Sequence, residues 1–169
     1  AFGRFERQNK DWLAFLDAGR YHDFALFMTL KNKFDYKPWT EWDEPYRSAN
    51  ARALSVFEKE NAEEIEFWQF TQYVFLKQWQ RLKEYANARG ISIMGDMPIY
   101  VAYDSVETWK YRKGLFMLGE NGTPSLRAGV PPDAFSDDGQ LWGNPVYDWD
   151  KMKKNGYQWW KNRIEYEFT

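Results

Sequence analysis

Gly90-Ile91-Ser92-Ile93-Met94-Gly95-Asp96-Met97-Pro98-Ile99-Tyr100-Val101 is the stretch on which the fold class turns. A long helix-period run ends at Gly90. Ile91 to Asp96 then reads as a short, mostly buried strand, and Pro98, which has no N–H to give to a ladder, stops it from continuing as a central strand. A helix that ends in glycine and feeds a strand is an α/β signal. In such folds the C-terminal ends of strands open onto the site. Asp96 is therefore placed either to bind hydroxyls or work as an acid or base, or only to cap the loop after the strand; the residues alone leave both open.

Upstream, Ile65, Trp68, Phe75, Trp79, Leu82 and Ala86 lie on one helical stripe, which Phe67, Phe70 and Val74 widen beyond one face, so the helix is expected to be buried on two sides. Asn61 followed by Glu64 is a capping pattern, which leaves two readings of the region, one rod or two helices over about 49–60 and 62–89. Nearer the start, Trp12, Leu13, Phe15 and Leu16, then Phe24, Phe27, Met28 and Leu30, predict two short helices on either side of Asp17-Ala18-Gly19-Arg20. Tyr36 to Pro45 is expected to be a loop, since Pro38 and Pro45 oppose a regular element there.

Downstream, Asp104-Ser105-Val106-Glu107 opens a capped short helix through Trp109. The stretch from about 111 to 147 reads as irregular, with Asn121-Gly122, between Leu115 to Leu118 and Leu126, as the best hairpin candidate. A loop region that long inside a compact domain is usually functional. A final helix is expected from about Gly156 or Tyr157 to Phe168. With no repeat and no linker, 1–169 reads as a single piece: 1–48 helical region and loop, 49–90 long helix or helix pair, 91–110 strand and site loop, 111–149 loop region, 150–169 helix. Ala1 in place of Met, and a last helix without a stop signal, lead us to expect that both ends were cut.

Composition narrows the function classes. Tryptophan, tyrosine and phenylalanine number 10, 11 and 13 and make up 20% of the chain. So much flat apolar surface has to be packed or used to hold a ligand, which excludes a disordered chain. A net charge of −2 with no long run of one sign gives a phosphate backbone no electrostatic support, so nucleic acid is excluded as a partner. Zero cysteines removes thiolate metal sites and cysteine nucleophiles and suits a reducing, cytoplasmic setting. No apolar run approaches the roughly 20 residues that cross a bilayer, so no membrane association is expected. His22 is the single histidine, and no glycine-rich nucleotide motif occurs, so neither a metal nor a cofactor is expected.

A second candidate region is Gly129-Val130-Pro131-Pro132-Asp133-Ala134-Phe135-Ser136 with Gly139-Gln140-Leu141-Trp142-Gly143-Asn144-Pro145. Polar groups on a proline-stiffened backbone beside Phe135 and Trp142 suit a sugar, whose hydroxyls need hydrogen bonds while its C–H face needs an aromatic cover. The alternative is a loop whose Phe135 and Trp142 are tucked into the core. Trp159-Trp160 and the Ile65 to Ala86 stripe read as core.

Three stretches in order, Gly95 to Ser105 with Val106 to Trp109, Ala128 to Ser136, and Gly139 to Trp149, closely resemble consecutive motifs of the 4-α-glucanotransferases (amylomaltase, or disproportionating enzyme). Similarity upstream, at Trp12-Leu13, Phe27 to Lys31, Trp39 to Trp42 and Glu63 to Trp79, extends the resemblance over nearly the whole chain. It implies an α/β fold, here a partial (β/α)8 TIM barrel, mostly helical with about one barrel strand and a long substrate-loop region. It implies transfer of α-1,4-glucan segments to a glucan or glucose acceptor with retention, which needs two carboxyl groups about 5 Å apart. The family's nucleophile motif, Arg-Ile-Asp-His-Phe-Arg-Gly, would lie beyond Thr169, as would the other catalytic carboxylates, so this chain is expected to hold no catalytic residue and to be inactive alone.

Carried over by motif, Asp96 would stand beside the site. Asp133, Ala134, Phe135 and Ser136 would form the loop over the glucan, with Phe135 as the stacking group. Trp142 and Asn144 would hold loop and glucan, and Tyr100 would belong to the same site. Ala134 stands where some members carry tyrosine, which removes an aromatic contact. The partner implied is an α-1,4-glucan or maltooligosaccharide. Self-association is expected through unpaired strand and helix faces. A non-catalytic glucan-binding module and a helical interaction scaffold are the alternatives.

Overall fold

The computed structural model describes residues 2–167. The chain divides into two compact units, Ala1–Lys37 with Trp42–Met94, and Pro38–Glu41 with Gly95–Thr169.

The first unit is helical: α1 (Lys10–Asp17), α2 (His22–Lys33), α3 (Glu44–Arg47), α4 (Ala51–Glu60) and α5 (Ala62–Asn87). Asn9 starts α1 by accepting the Asp11 and Trp12 N–H groups at 3.0 and 3.2 Å, which satisfies two of the donors a helix start leaves unpaired. Gly19, at φ +64°, reverses the chain between α1 and α2 where the sequence placed the turn. Trp12, Leu26, Leu30 and Trp42 are fully buried, and Phe27, Phe57, Ile65 and Phe70 are also buried in this unit. Lys31 lies among these because its ammonium donates to the Tyr36 and Lys37 carbonyls at 2.8 Å each, so a buried charge keeps hydrogen-bond partners.

The region divides at residue 61, the second of the two readings, but the expected cap is not the cause. Asn61 spends its side chain on the Phe57 carbonyl at 2.8 Å rather than capping α5, while Asn50 caps α4. The expectation that α5 is buried on two sides also needs correction. Ile65, Phe70 and Ala86 are buried, whereas Phe67, Phe75, Trp79, Leu82 and Tyr85 are exposed among the described residues. Between Pro38 and Pro45 the chain is not structureless: Trp39–Glu41 forms a 3-10 turn, and Pro45 sits in the first turn of α3, where a missing N–H costs nothing.

The second unit holds α6 (Val106–Lys110), α7 (Arg112–Leu115), β1 (Arg127–Val130), β2 (Gln140–Pro145), α8 (Trp149–Lys154) and α9 (Gln158–Glu167). The capped start that the sequence predicts for α6 is present, as a capping box between Ser105 and Thr108. The predicted end of the last helix, Phe168, lies outside the described residues.

Two expectations fail here. Ile91 to Asp96 is not a strand: a strand exists through the ladder its neighbour completes, none of the described residues pairs with it, and the segment is exposed, Met94 at 94%. The sheet lies instead in the stretch read as irregular. β1 and β2 pair antiparallel, Gly129 opposite Leu141 and Val130 opposite Gln140, with a break in register between Arg127 and Gly129. Glycine concealed it. A Cβ at Gly129 would lie 2.3 Å from the Gln140 carbonyl oxygen, so this glycine marks close backbone approach within a strand. Asn121-Gly122 does turn the chain, with Gly122 N–H on the Gly119 carbonyl at 2.9 Å, but it joins only a single bridge, Leu118 to Pro124. The described chain is thus mostly helical with one two-stranded antiparallel sheet.

Candidate functional site

Every residue predicted to meet ligand belongs to the second unit. The β1–β2 hairpin presents the loop from Pro131 to Gly139. Within it one Asp133 carboxylate oxygen accepts the Phe135 and Ser136 N–H groups at 2.8 and 3.0 Å, and the Asp133 N–H donates to the Ser136 carbonyl at 3.0 Å. The Ser136 hydroxyl donates to the Gly139 carbonyl at 2.7 Å. This is the local bonding by which Asp and Ser close turns. One Asp133 carboxylate oxygen and the Ser136 hydroxyl therefore shape the loop, and its one aromatic side chain, Phe135, is 93% exposed. The core alternative for Phe135 is excluded.

A second group forms where β2 meets the chain after Pro98. Trp142, about half exposed, donates its indole N–H to the Gln140 amide oxygen at 3.0 Å, and its ring centroid lies 6.2 Å from that of Tyr100. Asn144 donates to the Val101 carbonyl at 2.8 Å. Tyr100 in turn stacks on Tyr147, at 6.0 Å and 13°. Tyr147 is buried against Phe116, Trp159 and Trp160, at 5.2, 5.7 and 5.4 Å, in a core completed by Leu115 and Met152. Trp159 and Trp160 are packed there as expected.

The structure thus brings Tyr100, Trp142 and Asn144 together and gathers Asp133, Phe135 and Ser136 in one turn. Asp96 is exposed and makes no hydrogen bond or ion pair with either group among the described residues. Two residues that the sequence reading passed over shape the site from behind. Tyr147 donates its hydroxyl to the Ile99 carbonyl at 2.8 Å, and Arg163 donates to the Pro98 carbonyl at 2.7 Å. Tyr147 lay inside a quoted motif; nothing in the spacing of Arg163 on α9 points to it.

Burial raises the Tyr147 phenol above its ordinary value of 10.0, as it does that of Tyr103, whose hydroxyl donates to the Gly122 carbonyl at 2.7 Å. Folding favours the neutral phenol in both. Their contribution to stability is complete below the unfolded value and is lost as pH rises through the folded one. The unfolding midpoint of the chain is expected to fall on going above about pH 10, and to fall less steeply in Tyr147→Phe; parallel midpoint curves for the two proteins would contradict this.

The groups assembled are the aromatic faces of Tyr100, Trp142 and Phe135 and the Asn144 amide, with the Asp133 carboxylate and Ser136 hydroxyl in the turn; this is a set suited to covering a C–H face and meeting hydroxyls. Among the described residues no cluster of three or more His, Asp or Glu is placed to hold a metal ion, and no helix is long and apolar enough to cross a membrane.

Comparison with known proteins agrees with the motifs. The 4-alpha-glucanotransferase family model matches residues 1–169. The chloroplastic/amyloplastic 4-alpha-glucanotransferase of Oryza sativa subsp. japonica is 46% identical over 147 residues, 87% of this chain and 25% of that protein. The 4-alpha-glucanotransferase of Thermus thermophilus is 44% identical over 165 residues, 98% of this chain and 31% of that protein. Among solved structures, the amylomaltase from Streptococcus agalactiae in complex with acarbose superposes with a TM-score of 0.89 at 45% identity, over 97% of this chain and 33% of that one. The chain spans about a third or less of the length of these relatives. It belongs to the 4-alpha-glucanotransferase family.

Proposed function

We propose that the chain is the glucan-holding piece of a 4-alpha-glucanotransferase, one part of a (β/α)8 catalytic domain that transfers α-1,4-glucan segments by retaining double displacement. The observation that carries the reading is an almost fully exposed Phe135 on a turn tied by its own side chains, in a chain matched along its length by that family. A stiff loop loses little freedom when it covers a sugar, so its aromatic face is effective for binding. Binding of acarbose, an α-glucan analogue, by the streptococcal relative supports the same ligand class here. Tyr100, Trp142 and Asn144 form the second contact area, and Asp96 approaches the ligand from the stretch before them.

Transfer prevails over hydrolysis when water is kept from the reacting centre while an acceptor sugar is in place. Phe135 serves that exclusion. The two carboxylates of the chemistry are supplied by residues other than these, so the 169-residue chain binds glucan and does not turn it over. Incubation of the pure chain with maltotriose tests this: no glucose release is expected, and sustained release proportional to protein would overturn it. The cysteine-free composition supports a cytoplasmic, reducing setting.

Phe135→Ala gives a further expected outcome. Loss of one aromatic contact should weaken maltoheptaose binding about 3–10-fold. Because the ring is 93% exposed, stability should stay within about 0.5 kcal/mol. Unchanged affinity by calorimetric titration would remove Phe135 from the site.

A further inference from the structure

Pro98 to Val101 has no secondary structure, yet the carbonyls of Pro98, Ile99 and Val101 are held by side chains from distant parts of the same unit. Arg163 donates to the Pro98 oxygen at 2.7 Å, Tyr147 to the Ile99 oxygen at 2.8 Å and Asn144 to the Val101 oxygen at 2.8 Å. The ring these bonds bracket is that of Tyr100, which lies between Tyr147 and Trp142 at 6.0 and 6.2 Å. A loop with no ladder would otherwise sample many backbone states, and each would aim Tyr100 differently.

We propose that Tyr147 and Arg163 are positioning residues for glucan binding: they fix the Pro98 to Val101 backbone so that Tyr100 and Trp142 present one preformed aromatic surface. The inference rests on the glucan reading given above. Arg163 also stands close enough to Tyr147 for its charge to favour the ionised phenol, so the two donors sit side by side. Its guanidinium lies over the rings of Trp159 and Trp160, 5.2 and 5.4 Å from their centroids, which holds it in line with the Pro98 carbonyl. Tyr147 stacks on Tyr100 and Phe116 and meets Trp160 edge-on, so its hydroxyl has little freedom to leave Ile99.

Three variants of the whole chain test it. Tyr147→Phe keeps the buried ring and removes the donor. Arg163→Met keeps the stem over the tryptophans and removes the donor, while Arg163→Lys keeps a cation able to reach the Pro98 carbonyl. Amide hydrogen exchange over 96–103 should speed up in Tyr147→Phe and Arg163→Met, with α5 unaffected. Maltoheptaose affinity, measured well below the unfolding midpoint, should fall about 3–10-fold in each, with Arg163→Lys recovering part of the loss. Exchange that does not change overturns the proposal, and so does a lowered midpoint with affinity intact, the pattern of a purely structural role. If the unaltered chain fails to bind maltoheptaose, the glucan reading falls, while faster exchange in the variants still supports the positioning of this loop.

Discussion

Trp39→Ala is expected to lower the stability of the second unit by about 3–5 kcal/mol, the largest single effect in that part of the chain. Trp39 has no exposed surface and sits in a 3-10 turn whose backbone N–H donates to the Asp104 carboxylate at 3.1 Å. Its indole N–H is shared between the Tyr103 carbonyl and the Thr108 hydroxyl, each at 3.1 Å. Opposite the ring stands Gly122, at φ +85°, where a Cβ would lie 2.3 Å from a ring carbon. Truncation leaves a void faced by a residue with no side chain to move into it, and a void that cannot collapse carries its full cost. Since a whole domain has about 5–15 kcal/mol to lose, urea unfolding should show the transition shifted far toward zero denaturant. A midpoint close to that of the unaltered chain would contradict the packing described.

Trp12→Ala is expected to do comparable damage in the first unit, again about 3–5 kcal/mol. Trp12 is 1% exposed, and its ring meets those of Phe5, Phe15 and Tyr73 at 5.4, 5.6 and 5.4 Å. Aromatic contacts of this kind add about 0.5–1.5 kcal/mol beyond area burial, so several are lost together. Thermal unfolding followed by far-ultraviolet circular dichroism should report a much lower midpoint for α1 to α5. A drop no larger than that of a surface substitution would show that the N-terminal helix is not docked as described.

These two tryptophans illustrate what a sequence can and cannot reveal. Trp12 and its neighbours recur at helical spacing, so α1, the turn at Gly19 and α2 were legible from pattern alone. The capped start of α6 at Ser105 was legible too, because capping is a bond between residues close in sequence. Trp39 sits between two prolines in a turn with no period, and its burial depends on Gly122, far along the chain, so nothing local announced it. The β1–β2 hairpin escaped for a related reason. Its glycines signal irregular chain when taken singly and close approach only when the partner strand is known.

The site divided along the same line. Phe135 was recognisable as a candidate because its loop mixes prolines, polar residues and an aromatic, and the structure leaves it outside the core. That one Asp133 carboxylate oxygen and the Ser136 hydroxyl bond within the loop itself could not be read from residue type, since the same groups would serve a sugar equally well. The strand expected at Ile91 to Asp96 shows the limit most plainly: its apolar residues are strand-like, but a ladder requires a second strand, and none of the described residues provides one. Tyr147 and Arg163 act through backbone carbonyls, which carry no residue signature at all.

The central claim is that Tyr100, Trp142, Asn144 and the Phe135 loop hold an α-1,4-glucan. It is tested most directly by titrating the whole chain with maltoheptaose while recording tryptophan fluorescence. Trp142 is the half-exposed indole beside Tyr100, so a saturable change is predicted, and Trp142→Phe, which keeps a flat ring in place, should retain binding by calorimetry while losing most of the optical signal. No saturable change at millimolar ligand, or a change of full size in Trp142→Phe, would contradict the account.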